Sequence, residues 1–177
     1  ADDEERRLPL PGRDGDRLRI TVKALGDAST TLMDVPAGTR VTFEGPYGVM
    51  TPPRAEGSRY VLVAGGVGIG PIVSLVGGLG ARGVPIDVIY RASVPEDLVL
   101  ADELREYEAA GTIRLHLLPG PRAVQRMDAE HLTALLGDLS DATVFTCGPA
   151  ALNEAVEESA RALGVPASRI HSELFDL

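Results

Sequence analysis

The sequence predicts an α/β fold: a five-stranded parallel sheet flanked by helices, preceded by a short antiparallel β segment. Three observations predict it. From residue 60 onward, apolar runs of strand length alternate with stretches of helical period, the pattern of βα units. The run Tyr60-Val61-Leu62-Val63-Ala64 passes straight into Gly65, Gly66, Gly68 and Gly70, then Pro71. That is the order strand, glycine turn, helix, because Pro favours the first helical turn. Before residue 51, by contrast, apolar and polar residues alternate as in half-buried strands.

Residues 1–16, ADDEERRLPLPGRDGD, are charged and rich in Pro and Gly and read as a flexible tail. Residues 18–24 alternate and predict a strand. Gly26-Asp27-Ala28-Ser29-Thr30-Thr31-Leu32 predicts a short helix, opened by good cap residues. Residues 36–39 form a turn, residues 40–44 a second strand, and Gly45-Pro46-Tyr47-Gly48 ends it. Two strands and one helix are too few for an independent sheet. Residues 51–58 link this front to the rest.

Beyond the strand at 60–64 and its helix, residues 85–90 predict a strand. Residues 97–109 predict a helix with Leu98, Leu100, Ala101 and Leu104 as its apolar face. Residues 112–118 predict a strand ending at Pro119-Gly120. Asp128 caps a helix running through Leu136. Residues 143–146 predict a strand, residues 149–163 a helix stopped by Gly164, and residues 169–174 the last strand. No internal repeat of 20–50 residues is visible.

Composition narrows the function. The chain has 177 residues, 17 Lys and Arg against 26 Asp and Glu, and a net charge of −9. An acidic chain without a basic cluster argues against nucleic acid as a partner. Aromatics make up 4% and Trp is absent, so base-stacking platforms are not expected. Cys147 is the only cysteine, which rules out an intrachain disulfide and suits a reducing compartment. His116, His131 and His171 lack metal-ligand spacing and read as surface or satisfied histidines. No metal site is expected.

In such a sheet, ligands sit at the carboxyl ends of the strands, where strand order reverses. The candidates are the residues just after each strand: the glycine turn 65–71, then Arg91-Ala92-Ser93, Gly120-Pro121-Arg122 and Cys147-Gly148-Pro149, with Phe175 near the C-terminus. The set suits a nicotinamide dinucleotide. A helix start offers free N–H groups to a phosphate. Arg91 and Arg122 suit an anion, and a 2′-phosphate would make the nucleotide NADPH. Plainer readings stand beside these. The glycines also suit a turn between packed elements, Arg91 an ion pair with Glu96 or Asp97, and Cys147 an inert buried thiol. Nothing marks Cys147 as a nucleophile.

GGVGIGP, the CGP tripeptide and the ending IHSELF together resemble the ferredoxin–NADP reductase superfamily. Within it they are most similar to the cytosolic dehydrogenase portion of bacterial ferric reductases and NADPH oxidases, as is YRASVPEDLVLADEL. The resemblance covers residues 17–175. It implies a flavin barrel followed by a pyridine-nucleotide domain, with hydride passing from NADPH to FAD and electrons going on to haem or ferric iron. By this resemblance Gly66, Gly68 and Pro71 lie along the pyrophosphate; Gly65, Val67, Ile69, Gly70, Arg91, Ser93 and Arg122 are further cofactor-binding candidates. Cys147 and Gly148 lie by the nicotinamide, and Pro149 is a further cofactor-binding candidate. Phe175 looks like the aromatic that shields the flavin, and with Cys147 forms the catalytic pair. Gly26, Ser29 and Thr30 map under the FAD pyrophosphate.

Three features depart from the family pattern. Gly70 stands where the family has Thr or Ser. Asp176-Leu177 extends past the aromatic. The flavin motif expected before residue 18 is replaced by Leu8-Pro9-Leu10-Pro11-Gly12-Arg13-Asp14-Gly15-Asp16. The expectation is therefore a tail at 1–16, an incomplete antiparallel β-barrel fragment at 17–50, a linker at 51–58 and an NAD(P)-binding domain at 59–177. The missing barrel strands would come from a larger protein or a second chain, and the acceptor from a membrane haem domain, at the cytoplasmic face. Two alternatives are a non-catalytic nucleotide-sensing domain and a reductase component feeding an oxygenase.

Overall fold

The computed structural model of the chain describes residues 6–8, 18–24, 26–42, 44, 48–54 and 56–175. They divide into two units with the boundary between Pro46 and Tyr47. In the first unit, β1 (Arg6–Leu8) pairs antiparallel with β2 (Leu18–Ile20), Arg7 opposite Arg19. A strand thus lies inside the stretch expected to be a tail, and the rest of that stretch falls outside the described residues. Helix α1 (Asp27–Met33) follows, as predicted. The turn at 36–39 forms too, closed by the Thr39 N–H on the Pro36 carbonyl at 3.2 Å. Two other expectations fail. The strand at 18–24 stops at Ile20, and residues 40–42 and 44 form no strand. Alternation alone does not make a strand where no neighbour pairs with its backbone.

The second unit carries β3 (Arg59–Gly65), α2 (Ile69–Leu79), β4 (Ile86–Ala92), α3 (Ala101–Ala109), β5 (Arg114–Pro119), α4 (Ala129–Leu136), β6 (Ala142–Gly148), α5 (Ala150–Ala162) and β7 (Ile170–Leu174). Its five strands form one parallel sheet in the order β5-β4-β3-β6-β7. Strand side chains alternate between faces. Tyr60, Leu62 and Ala64 of β3 therefore pack with Ile72, Leu75 and Leu79 of α2 and Leu104 of α3. Val61 and Val63 pack on the other face with Leu132 and Leu136 of α4 and Val156 and Ala160 of α5. A strand buried on both faces must be apolar throughout, which is why 60–64 has no polar break. Each fully buried Leu, Ile or Val contributes about 1.5–3 kcal/mol.

The caps predicted for α4 and α5 form, whereas α1 is capped by Gly26 with no side-chain hydrogen bond rather than by its Asp, Ser or Thr. Asp128 accepts the His131 N–H at 2.9 Å and starts α4. The Gly164 N–H returns to the Arg161 carbonyl at 3.0 Å and closes α5. The helix expected from residue 97 begins only at Ala101. Pro95–Asp97 forms a 3-10 turn, and Leu100 has φ 58°, a left-handed conformation that no α-helix continues. Leu98, Val99 and Leu100 still pack against the α2 side of the core, from a loop rather than a helix. Among the described residues no helix is long and apolar enough to cross a membrane.

Two polar assemblies pin the edges of this unit. At the amino ends of the strands, Arg59 donates to Asp87 Oδ2 through Nε at 3.0 Å and Nη2 at 2.8 Å, and His116 Nε2 lies 3.2 Å from Oδ1. Arg59 also donates to the carbonyls of Leu136 and Asp138, at 2.6 and 3.2 Å, just past α4. Along the outer edge, Glu173 Oε1 accepts the N–H groups of Val49 and Met50, at 2.6 and 3.2 Å. His171 Nε2 lies 3.3 Å from the Arg54 carbonyl.

Candidate functional site

Strand order reverses between β3 and β6. The chain steps outward from β3 to β4 to β5, then returns to β6 on the other side of β3. After β3 it leaves for the α2 face, and after β6 for the α5 face. The two turns lead off to opposite faces at the carboxyl edge, toward the starts of α2 and α5. In open parallel sheets ligands bind in the crevice that such a switch in strand order forms.

The glycine turn is built for two different purposes. A Cβ at Gly68 would sit 2.2 Å from the Cys147 carbonyl oxygen, and one at Gly148 would sit 3.1 Å from the Gly65 Cα. These glycines let the two turns abut backbone to backbone, which is the plainer reading made from sequence. Gly66 differs. Its φ is +54° and no atom lies within 4 Å of where a Cβ would stand. The turn therefore bends sharply there and leaves its outer side open. Val67, Gly70 and Pro71 are half-buried along the same edge, while Ile69 points into the core.

Register brings the remaining sheet candidates to that rim. Gly65 is opposite Arg91, Ala64 opposite Cys147, Ala92 opposite Pro119 and Gly148 opposite Leu174. The Arg91 guanidinium donates to the carbonyl of Leu118, and to that of Gly120 at 3.3 Å. It fastens the loop after β5, and its contacts are carbonyls rather than the Glu96 or Asp97 carboxylates considered from sequence. Arg122 donates to the Ala151 carbonyl at 3.0 Å, in the first turn of α5. Ser93 is exposed beyond β4. Pro149 is the N-cap of α5.

Cys147 is completely buried. Burial, with a smaller contribution from the Glu173 charge, pushes its thiol up to about 12. It stays neutral at physiological pH and packs within the α2-side core, so a nucleophilic role is closed to it. Iodoacetamide is accordingly expected to leave Cys147 unmodified in the native protein and to label it once urea unfolds the chain. Labelling of the folded protein at the rate of a free thiol would contradict this burial.

Phe175 is exposed, but its backbone is not loose. Its N–H donates to the Gly148 carbonyl at 3.0 Å, which sets the aromatic beside the β6 turn. Gly26, Ser29 and Thr30 belong to the first unit. There the Ser29 and Thr30 hydroxyls donate back to the Gly26 carbonyl, at 3.2 and 2.8 Å. The histidines each find a partner: His116 with Asp87, His131 with the Arg126 carbonyl, and His171 with the Arg54 carbonyl and the Phe145 ring, centroids 4.8 Å apart.

Two rim residues escaped the sequence reading. Asn153 accepts the Thr146 hydroxyl at 2.9 Å and donates to the carbonyls of Gly148 and Glu173, at 3.2 and 2.8 Å. It ties the ends of β6 and β7 together. Its signal was a polar residue on the apolar stripe of α5, in line with Val156 and Ala160. Tyr90 is fully buried at the end of β4, and its hydroxyl lies 3.2 Å from both the Gly66 and Asp97 carbonyls. A buried tyrosine needs such a partner, but sequence does not say which.

The comparisons with known proteins agree with this geometry. The model of the oxidoreductase NAD-binding domain family matches residues 62–158. The chain is 32% identical over 165 residues to the ferredoxin reductase component of 3-ketosteroid-9-alpha-monooxygenase from Mycobacterium tuberculosis, across 90% of this chain and 46% of that one. It is 33% identical over 174 residues to the ferredoxin–NAD(+) reductase component of the alkene monooxygenase system of Xanthobacter autotrophicus, across 91% and 53%. The chain thus spans about half the length of these curated relatives. Among solved structures, the cytochrome b5 reductase domain of Ulva prolifera nitrate reductase superposes with a TM-score of 0.68, at 16% identity, covering 89% of this chain and 70% of that one. At that identity the likeness is one of fold.

Proposed function

Because the chain belongs to the oxidoreductase NAD-binding domain family, with the fold of the ferredoxin–NADP reductase superfamily, we propose that it is the nicotinamide-dinucleotide-binding segment of a flavin-dependent reductase. The observation that carries this reading is the crevice between β3 and β6, with Gly66 open at its edge and Gly68 packed on Cys147. The pyrophosphate lies along residues 66–71, where the N–H groups of the 3-10 turn Gly66–Gly68 that leads into α2 precede any helical acceptor. The nicotinamide lies by Cys147 and Gly148, where a neutral thiol puts no charge beside the ring. Phe175, tethered through Gly148, covers the place the nicotinamide takes when it meets the flavin. The dinucleotide supplies a hydride and the flavin turns it into single electrons; the protein orients the two and excludes water.

The electron acceptor is an oxygenase system rather than the haem or ferric iron suggested by sequence resemblance. The names of the relatives support this choice. A four-cysteine iron–sulfur cluster has no ligand set within these 177 residues, which hold one Cys. The setting of this reading is cytoplasmic.

Arg91 and Arg122 are the cations available to a 2′-phosphate, each through the N–H groups its carbonyl contacts leave over. Titrating NADPH and NADH against wild type and Arg91→Ala tests this. NADPH affinity is expected to fall about tenfold more than NADH affinity, the scale of one charged hydrogen bond. Equal losses would leave Arg91 as a loop fastener only. Failure of both nucleotides to bind the wild-type protein would end the dinucleotide reading itself.

A further inference from the structure

The Tyr90 hydroxyl stands where the glycine turn is decided. The ring is buried on the α2 face of the sheet, and the phenolic oxygen lies 3.2 Å from the Gly66 carbonyl oxygen and 3.2 Å from that of Asp97. The Gly66 carbonyl also accepts the Ile69 N–H as α2 begins. The phenol carries one proton, so its hydrogen bond is shared between these two carbonyls, and the Gly66 oxygen is held by that shared bond together with the Ile69 N–H. A trans peptide points its C=O and its following N–H in opposite directions. Drawing the Gly66 oxygen inward therefore turns the Val67 N–H away from Tyr90, toward the open edge. The same hydroxyl reaches the loop after β4, where Leu100 holds its left-handed conformation.

We infer that Tyr90 is a positioning residue for the dinucleotide. Its hydroxyl locks the Gly66–Val67 peptide in the orientation that presents an N–H to the pyrophosphate, and links that peptide to the β4–α3 loop. The inference rests on the dinucleotide reading above and adds to it a residue that never touches the ligand.

Tyr90→Phe removes the hydroxyl and keeps the ring. Tyr60→Phe is the control. Tyr60 is a buried tyrosine in the same core layer at the other end of the sheet, and its hydroxyl accepts from Arg82 at 3.4 Å. Both variants are expected to keep Tm within a few degrees of wild type. Tyr90→Phe should weaken NADH binding about tenfold, the scale of one lost hydrogen bond at its upper range, and Tyr60→Phe should not. In the flavin-loaded intact protein, with ferricyanide as acceptor, Tyr90→Phe should raise KM for NADH about tenfold and leave kcat within about twofold, the mark of lost uniform binding. Wild-type affinity in Tyr90→Phe overturns the inference alone. So does an equal loss in Tyr60→Phe, which would mean general loosening of the core. Absence of NADH and NADPH binding in the wild type removes the dinucleotide reading and this inference together.

Discussion

Gly68→Ala is expected to lose nucleotide binding and to destabilise the protein by about 3 kcal/mol, at the upper end of overpacking costs. The added methyl would stand 2.2 Å from the Cys147 carbonyl oxygen and 2.6 Å from its carbonyl carbon. Neither atom yields easily. Cys147 lies in β6, hydrogen-bonded between β3 and β7. Relief must come from moving the glycine turn, which shifts the start of α2 away from β6 and spoils the crevice. Gly66→Ala should behave differently. There is open space at that site, so its cost is the left-handed backbone alone, about 1–2 kcal/mol. Thermal unfolding and NADH titration of the two variants separate the cases. A Gly68→Ala protein with wild-type Tm would show that the two turns do not press together as described.

Asp87→Ala is expected to cost about 3–5 kcal/mol, the scale for breaking a buried pair from one side. The carboxylate is almost wholly buried and accepts both Nε and Nη2 of Arg59. Burial by itself opposes its ionisation, but the hydrogen bonds from His116 and Arg59 and the charges of Arg59 and Arg114 outweigh it and hold the carboxyl below the usual range. Its folded pKa thus lies below its unfolded one. The stabilisation is complete above the ordinary carboxylate value, near pH 4, and fades as pH falls through the lower folded value. Wild type should therefore lose stability on acidification below about pH 4 more steeply than Asp87→Ala does. Urea unfolding of both proteins between pH 7 and pH 3 checks this. Parallel pH profiles would rule out the pair as the source.

The parallel sheet was legible because its signals are local. An apolar run at 60–64 with no polar break has one stable setting, between two layers of helices. Asp128 three residues before His131, and Gly164 behind an apolar stripe, state their caps directly. The front of the chain was not legible for the same reason in reverse. Residues 40–44 alternate like a strand, but alternation says nothing about whether a neighbour exists to pair. Leu100 misled because a leucine at the right spacing reads as part of a helix face, and only the loop around it explains a left-handed leucine. The rim was half legible. Glycine and arginine announced it, yet the partners of Arg91 are main-chain carbonyls on another strand. Asn153 and Tyr90 act on main-chain carbonyls too, and carbonyls carry no sequence signature.

The grip of Glu173 on Val49 and Met50 has a consequence for how the protein is made. Those two residues leave the ribosome well over a hundred positions before the carboxylate that holds them. Until β7 is synthesised they have no such acceptor. Translation halted just short of Glu173 would therefore leave the leading segment of this unit without its fastening, and the arrival of β7 is what joins the two ends of the unit.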